Sequence, residues 1–247
     1  MQSIRSSARQ CMNACRKQPW IRVDSRSVGL TRAFSTSPPS FELRALADSV
    51  ERAYDDRERL YNWNDKELFK AETSFVKKAL SFALLHHVFP SSSFDLVDFL
   101  DGAQVALDLV LNTIYTQDFQ DYLQDSSKTS PPVELLQNVM SPECFNALVK
   151  DFTRSRNDDI KIELVQLDIH SAQFSGLLVD GQQMKLILSV LYHTTEHLTK
   201  TNTISSPLTS IPGKEVRDSF CQWTFETSIA DPRNPDWVLV DMYNTEE

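Results

Sequence analysis

Between Phe94 and Tyr115 the chain repeats apolar residues at intervals of three and four: Leu96, Phe99, Leu100, Ala103, Ala106, Leu107, Val110, Leu111 and Ile114. On a helix these positions form one broad stripe, so the stretch predicts a long amphipathic helix that needs a surface to cover. Ser92, three residues ahead of Asp95, fits a capping-box start. Gly102 in mid-helix costs about 1 kcal/mol against alanine, which predicts a second backbone passing close to it.

The same reading places helices on either side. Phe41 to Trp63 is a charged helix with a thin apolar side, Leu43, Leu46, Val50, Tyr54, Leu60 and Tyr61. A second runs from about Lys66 to Phe89 and becomes apolar nearly all round from Phe82. That run is about half of what a bilayer span requires. It has two uses: burial against the main domain, or a foot made by Phe82, Leu85, Val88 and Phe89 that rests on a membrane or a partner. Further short helices are expected around Asp118 to Leu123, from Pro131 to Met140, and after Ser141-Pro142, the last with Phe145, Leu148, Val149 and Phe152 turned inward. At Ile160 the period changes to two. Ile160, Ile162 and Leu164 hold one parity while Val165, Leu167 and Ile169 hold the other, as a bulge or a doubly buried strand would require. Asp180-Gly181 signals a hairpin, with strands at about Gln182 to Tyr192, Asp218 to Ile229 and Asp236 to Tyr243 after it. Helices followed by four antiparallel strands make an α+β chain. The arrangement expected is a strongly curved sheet with helices packed inside it, a cone-shaped roll of the cystatin or NTF2-like kind, preceded by N-terminal helices.

Composition changes this picture at the N-terminus. Residues 1 to 34 hold Arg5, Arg9, Arg16, Lys17, Arg22, Arg26 and Arg32 against the single acid Asp24, with many serines. This is the make-up of a mitochondrial transit peptide, without the apolar run of a secretory signal. Arg32-Ala33-Phe34-Ser35 resembles a matrix-peptidase site, with Arg32 two residues before Phe34 and Ser35 as the new N-terminus. Residues 41 to 90 then form a helical extension and residues 91 to 247 the main domain. Taking the +6 of the leader from the whole-chain net charge of −9 leaves −15 for the mature part. Such a charge disfavours phosphate-rich partners such as rRNA and favours basic protein surfaces. Cys144 and Cys221 remain after cleavage, without metal spacing, and are expected to be buried thiols.

Candidate chemistry is sparse. His193-Thr194-Thr195-Glu196-His197 spells the H-x-x-E-H zinc signature, but that chemistry needs a helix and here the residues follow an apolar strand. His86 and His87 are adjacent and face different sides of their helix. No P-loop, G-x-G-x-x-G or nucleophile triad spacing is present in the sequence. No catalytic residue, metal site or cofactor is predicted, and the expectation is a protein that is not an enzyme.

Three motifs in order carry a resemblance: Phe99-Leu100-Asp101-Gly102-Ala103-Gln104-Val105-Ala106 as F-x-x-G-A-x-x-A, a later Leu-Val segment, and Trp223-Thr224-Phe225-Glu226 followed by Asn234-Pro235-Asp236-Trp237-Val238-Leu239-Val240. Together, over about Phe94 to Asp241, they resemble the Tim44-like domain family of mitochondria. The chain departs from that pattern at Thr227, where relatives often carry a basic residue, and in a longer polar insert near Pro131. Within the family it looks most like the branch that interacts with the m-AAA protease. The resemblance implies a matrix adaptor or chaperone-like protein, peripheral to the inner membrane, that binds m-AAA protease subunits and inner-membrane clients such as a calcium-uniporter regulator, and binds no nucleic acid. The alternatives it leaves open are a membrane tether of the large mitoribosomal subunit and an import-motor anchor, with a small-molecule enzyme on the same roll as the outsider.

Overall fold

The structure is a computed structural model that describes residues 43–89, 94–155, 160–181, 183–202, 213–233 and 235–245. Seven helices among them precede four strands: α1 (Leu43–Asp55), α2 (Arg57–Asp65), α3 (Phe75–Val88), α4 (Leu96–Ile114), α5 (Gln117–Gln124), α6 (Pro131–Val139) and α7 (Pro142–Ser155), then β1 (Ile160–Asp180), β2 (Lys185–Asn202), β3 (Gly213–Ser228) and β4 (Val238–Thr245). The strands form one antiparallel sheet in the order β1-β2-β3-β4. The α+β class expected from the sequence is the class observed. The sheet is open, with β1 and β4 as its edges, rather than closed on itself.

Alternation decides which face the helices cover. Leu186, Leu188, Val190 and Tyr192 of β2, Cys221, Trp223 and Phe225 of β3 and Leu239 of β4 are all buried on one side. The stripe of α4 meets them. Phe99 sets its ring edge-on to Phe225 at 5.7 Å, and the Tyr192 hydroxyl donates 2.9 Å to the carbonyl of Ala103. Leu96, Leu107 and Val110 are completely or almost completely buried in the same layer. The shared face of Cys221, Trp223 and Phe225 and the inward Phe145 and Leu148 of α7 are as the pattern predicted. So is the parity change in β1, which is a bulge between Leu164 and Gln166.

Local chemistry moved several boundaries. The first charged helix is two helices, broken at Asp56, whose backbone leaves helical geometry at φ −95°, ψ 20°. The next does not begin at Lys66. Glu67 adopts a left-handed φ of 55°, turning the chain so that Phe69 bridges in parallel to Phe174 of β1. Helix α3 starts only after Ser74, whose hydroxyl accepts from the Lys77 amide. The cap of α4 is Asp95, accepting from the Val97 amide at 2.8 Å; Ser92 lies outside the described residues. The β2 and β3 strands are longer than expected, and the H-x-x-E-H residues sit within β2 rather than at its end.

Gly102 overturns the expectation of a close backbone. It is exposed, and a Cβ built there meets nothing within 4 Å. Its cost to the helix is therefore uncompensated by packing, and Gly102→Ala should stabilise the fold by about 0.5–1 kcal/mol in urea unfolding; destabilisation would show a contact at that position.

Candidate functional site

Helix α3 is apolar around most of its circumference, and the structure sorts its residues between two environments. Phe82, Leu85 and Phe89 are at most 3% exposed. Phe82 packs edge-on against Trp63 at 5.1 Å, and Phe89 stacks on Phe94 at 4.9 Å. Val88 is half-buried against the same core. The foot expected from Phe82, Leu85, Val88 and Phe89 is thus largely turned into the domain, where Trp63 of α2 and Phe94, just ahead of α4, pack on its rings. Phe82, Leu85 and Phe89 take the first of the two uses, burial against the domain.

The opposite side of α3 is the exposed one. Phe75, Val76 and Leu80 are 52%, 75% and 60% exposed. Helix α1 packs against α3, with Ser49 Oγ 2.8 Å from His87 Nδ1, and α2 is tied to α3 by Lys78 Nζ, which donates to Asn64 Oδ1 at 2.7 Å. Ser49 and Ala53 of α1 are buried, and Val50 and Tyr54, one position further round, are exposed. Tyr61 of α2 stacks on Phe75 of α3 with ring centroids 6.3 Å apart. Exposed apolar side chains thus stand on all three N-terminal helices, Val50 and Tyr54 on α1, Tyr61 on α2 and Phe75, Val76 and Leu80 on α3, with Arg57 and Lys77 also exposed.

An ionic joint ties these helices to the domain. Arg59 reaches Asp56 at 3.5 Å and Asp95 at 3.2 Å and donates to the carbonyl of Phe94, while His86 Nε2 lies 3.2 Å from Asp56. One guanidinium therefore links α2 to the cap of α4, and one buried imidazole links α3 to α2. Burial holds the His86 pKa below the ordinary imidazole value, and Asp56 opposes that shift only in part.

A second polar cluster lies on the helix-facing side of β2 and β3. Glu196 is buried, and Arg217 is its cross-strand partner. The Tyr115 hydroxyl, at the C-terminal end of α4, donates 2.8 Å to Glu196 Oε2. Arg217 stands 3.8 Å from the same oxygen and 3.4 Å from Glu215, which also pairs with Lys200. Burial and then Glu196 raise the Tyr115 pKa, so the phenol stays protonated and serves as a donor. His193 and His197 point the other way: His193 stacks on Phe220 at 4.3 Å and His197 pairs with Asp168 at 3.0 Å. Strand alternation thus splits the H-x-x-E-H residues between two faces. Among the described residues no group of three His, Cys, Asp or Glu side chains is placed to hold a metal ion. Cys144 and Cys221 are buried, and burial pushes both thiols up to about 12, which keeps them protonated and unreactive.

Arg32, Phe34 and Ser35 lie outside the described residues. No protein-family model matches the chain, and no curated protein matches it. Among solved structures, the intermembrane space region of the chloroplast protein ARC6 aligns at 8% identity with a TM-score of 0.37, over 60% of this chain and 97% of that one.

The sequence did not show that Phe75, Val76 and Leu80 stay exposed, because an apolar stripe does not say which of its residues another element covers. Glu196 and Arg217 did leave a signal. Each has the parity of buried neighbours, Tyr192 and Leu198 for the acid and Cys221 and Trp223 for the base, so strict counting by two would have turned both inward.

The His86 joint sets a pH dependence. Unfolded, His86 takes up a proton as pH falls below about 6.5, whereas the folded state resists protonation, so the unfolded state binds more protons and stability declines with falling pH. Urea unfolding should show lower stability at pH 5.5 than at pH 7.5, with a flatter dependence in His86→Gln; an unchanged slope in that variant would assign the effect to other groups.

Proposed function

We propose that this chain is a non-enzymatic adaptor of the mitochondrial matrix, a Tim44-like protein attached peripherally to the inner membrane, which binds m-AAA protease subunits and assists their maturation or the handling of inner-membrane clients. The observation that carries the reading is the exposed apolar side of α3, where Val76 and Leu80 stand free of the core and Phe75 stacks on Tyr61. Exposed aromatic and aliphatic side chains gathered on one side of a helical extension are a surface for another molecule rather than for water. The basic leader supports the compartment, and the −15 charge of the mature part supports protein over nucleic acid as partner. In this reading the sheet is the wall of a cone-shaped roll. Its interior is taken up by the α4 side chains that pack on Tyr192 and Phe225, which favours a binding scaffold over an enzyme pocket.

Magnitudes agree with reversible docking. Covering a large apolar side chain is worth about 1.5–3 kcal/mol, so a few of them hold a peripheral contact without the permanence of a membrane span. No helix among the described residues is long and apolar enough to cross a membrane. A net charge of −15 is repelled by anionic lipid, so attachment relies on this local surface and on a protein receptor.

Two pairs of substitutions separate the sides of α3. Val76→Ser with Leu80→Ser should leave folding within about 0.5 kcal/mol, because both residues are exposed, and should reduce retention on isolated inner membranes several-fold. Leu85→Ser or Phe89→Ser should cost about 3 kcal/mol or more in stability, since each opens the core. A folded Val76/Leu80 variant that binds membranes as well as the native protein would overturn the proposal.

A further inference from the structure

β1 is an edge strand of 21 residues whose outer side is treated differently along its length. At Phe174 the segment before α3 closes it: the Phe174 amide donates to Leu68 at 2.7 Å and the Lys70 amide donates to Phe174 at 2.9 Å. From Ile160 to Leu164 no described residue pairs with the outer side, while the inner side runs in unbroken register from Ile160 opposite Asn202 to Leu164 opposite Leu198. The bulge after Leu164 then interrupts the ladder. A regular stretch of strand with one unpaired side is a template for another strand, and proteins often blunt such a stretch with charge.

Here the charges do the reverse. Ile160-Lys161-Ile162-Glu163-Leu164 is its own complement. When two copies are laid antiparallel with Ile162 opposite Ile162, Lys161 of each faces Glu163 of the other and Ile160 of each faces Leu164. Lys161 and Glu163 share the outer face, exposed and 2.7 Å apart, so both are positioned to pair across the edge. Ile160, Ile162 and Leu164 are half-buried on the helix side. Every cross-strand pair is then of a favourable kind, apolar on apolar or opposite charges. Centring the pairing on Lys161 or on Glu163 instead would set like charges against each other, so charge selects the register.

We propose that two copies of this chain associate through β1 about a two-fold axis at Ile162, joining their four-stranded sheets edge to edge. The contact is isologous and closed, so it ends at a dimer. A surface this short supports a weak, concentration-dependent dimer rather than an obligate one. The site is separate from the exposed side of α3 and does not depend on what that side binds.

Sedimentation velocity of the full chain over about 1 μM to 1 mM tests the proposal, with circular dichroism to establish that each variant is folded. The native chain should dimerise as concentration rises. Lys161→Glu and Glu163→Lys alone should each weaken dimerisation about tenfold or more, and the two together should restore it, because the exchange recreates the complementary pairs. Ile162→Pro should abolish it. A native chain that stays monomeric throughout the range would overturn the proposal, as would a dimer that survives either single reversal unchanged. If the doubly reversed chain fails to recover, the charge-selected register is refuted.

Discussion

The rest of the molecule depends on one cluster of rings where helix ends meet the sheet. Phe89 stacks on Phe94; Phe94 and Phe99 each lie against Trp237 at 6.1 and 4.7 Å; and Phe99 stands edge-on to Phe225. These residues come from the end of α3, the start of α4, the middle of β3 and the entry to β4. Edge and offset contacts of this kind are directional, each worth about 0.5–1.5 kcal/mol beyond the area it buries, so they fix orientations as well as proximity. Seating α4 on the sheet in this way brings its far end, Tyr115, to Glu196. The orientation of α3 follows from the same cluster, since Phe89 inside requires Val76 and Leu80 outside.

Helix α3 therefore has its inner side committed to the domain and its outer side left free of the core. The joint of Arg59, Asp56, Asp95 and His86 keeps it in that pose. Removing one member of such a partly buried set leaves charges without partners, which costs more than the ion pair itself supplies. The helical extension is thus part of the domain's own packing, and its exposed margin is presented by a fixed support. Both edges of the sheet are closed locally in a similar way, by Phe69 at Phe174 and by Met140 at Leu239. The start of β1 has no such closure among the described residues.

Much of the fold was legible in the chain because its strongest signals were periodic. The α4 stripe, the bulge in β1 and the common face of Cys221, Trp223 and Phe225 all follow from counting by 3.6 or by two. What escaped the reading depended on single residues or on choices made by the tertiary structure. A left-handed Glu67 delayed α3, Asp95 rather than Ser92 capped α4, and Gly102 proved to be an exposed weakness rather than a crossing point. The site was less legible than the fold. Phe82, Leu85, Val88 and Phe89 belong to a run that is apolar nearly all round, so its period did not separate burial from docking, and the packing of Trp63 and Phe94 on two of its rings did.

The central claim is that α3 offers its outer side, and not its inner one, to another molecule at the inner membrane. Site-specific photo-crosslinking in intact mitochondria tests it most directly, with a benzophenone side chain placed at position 80 and, as a control, at the equally exposed Val105 of α4. The account predicts adducts from position 80 to a subunit of an inner-membrane protease and none from position 105. Absence of adducts at position 80 in imported, folded protein, or equal labelling from both positions, would contradict it.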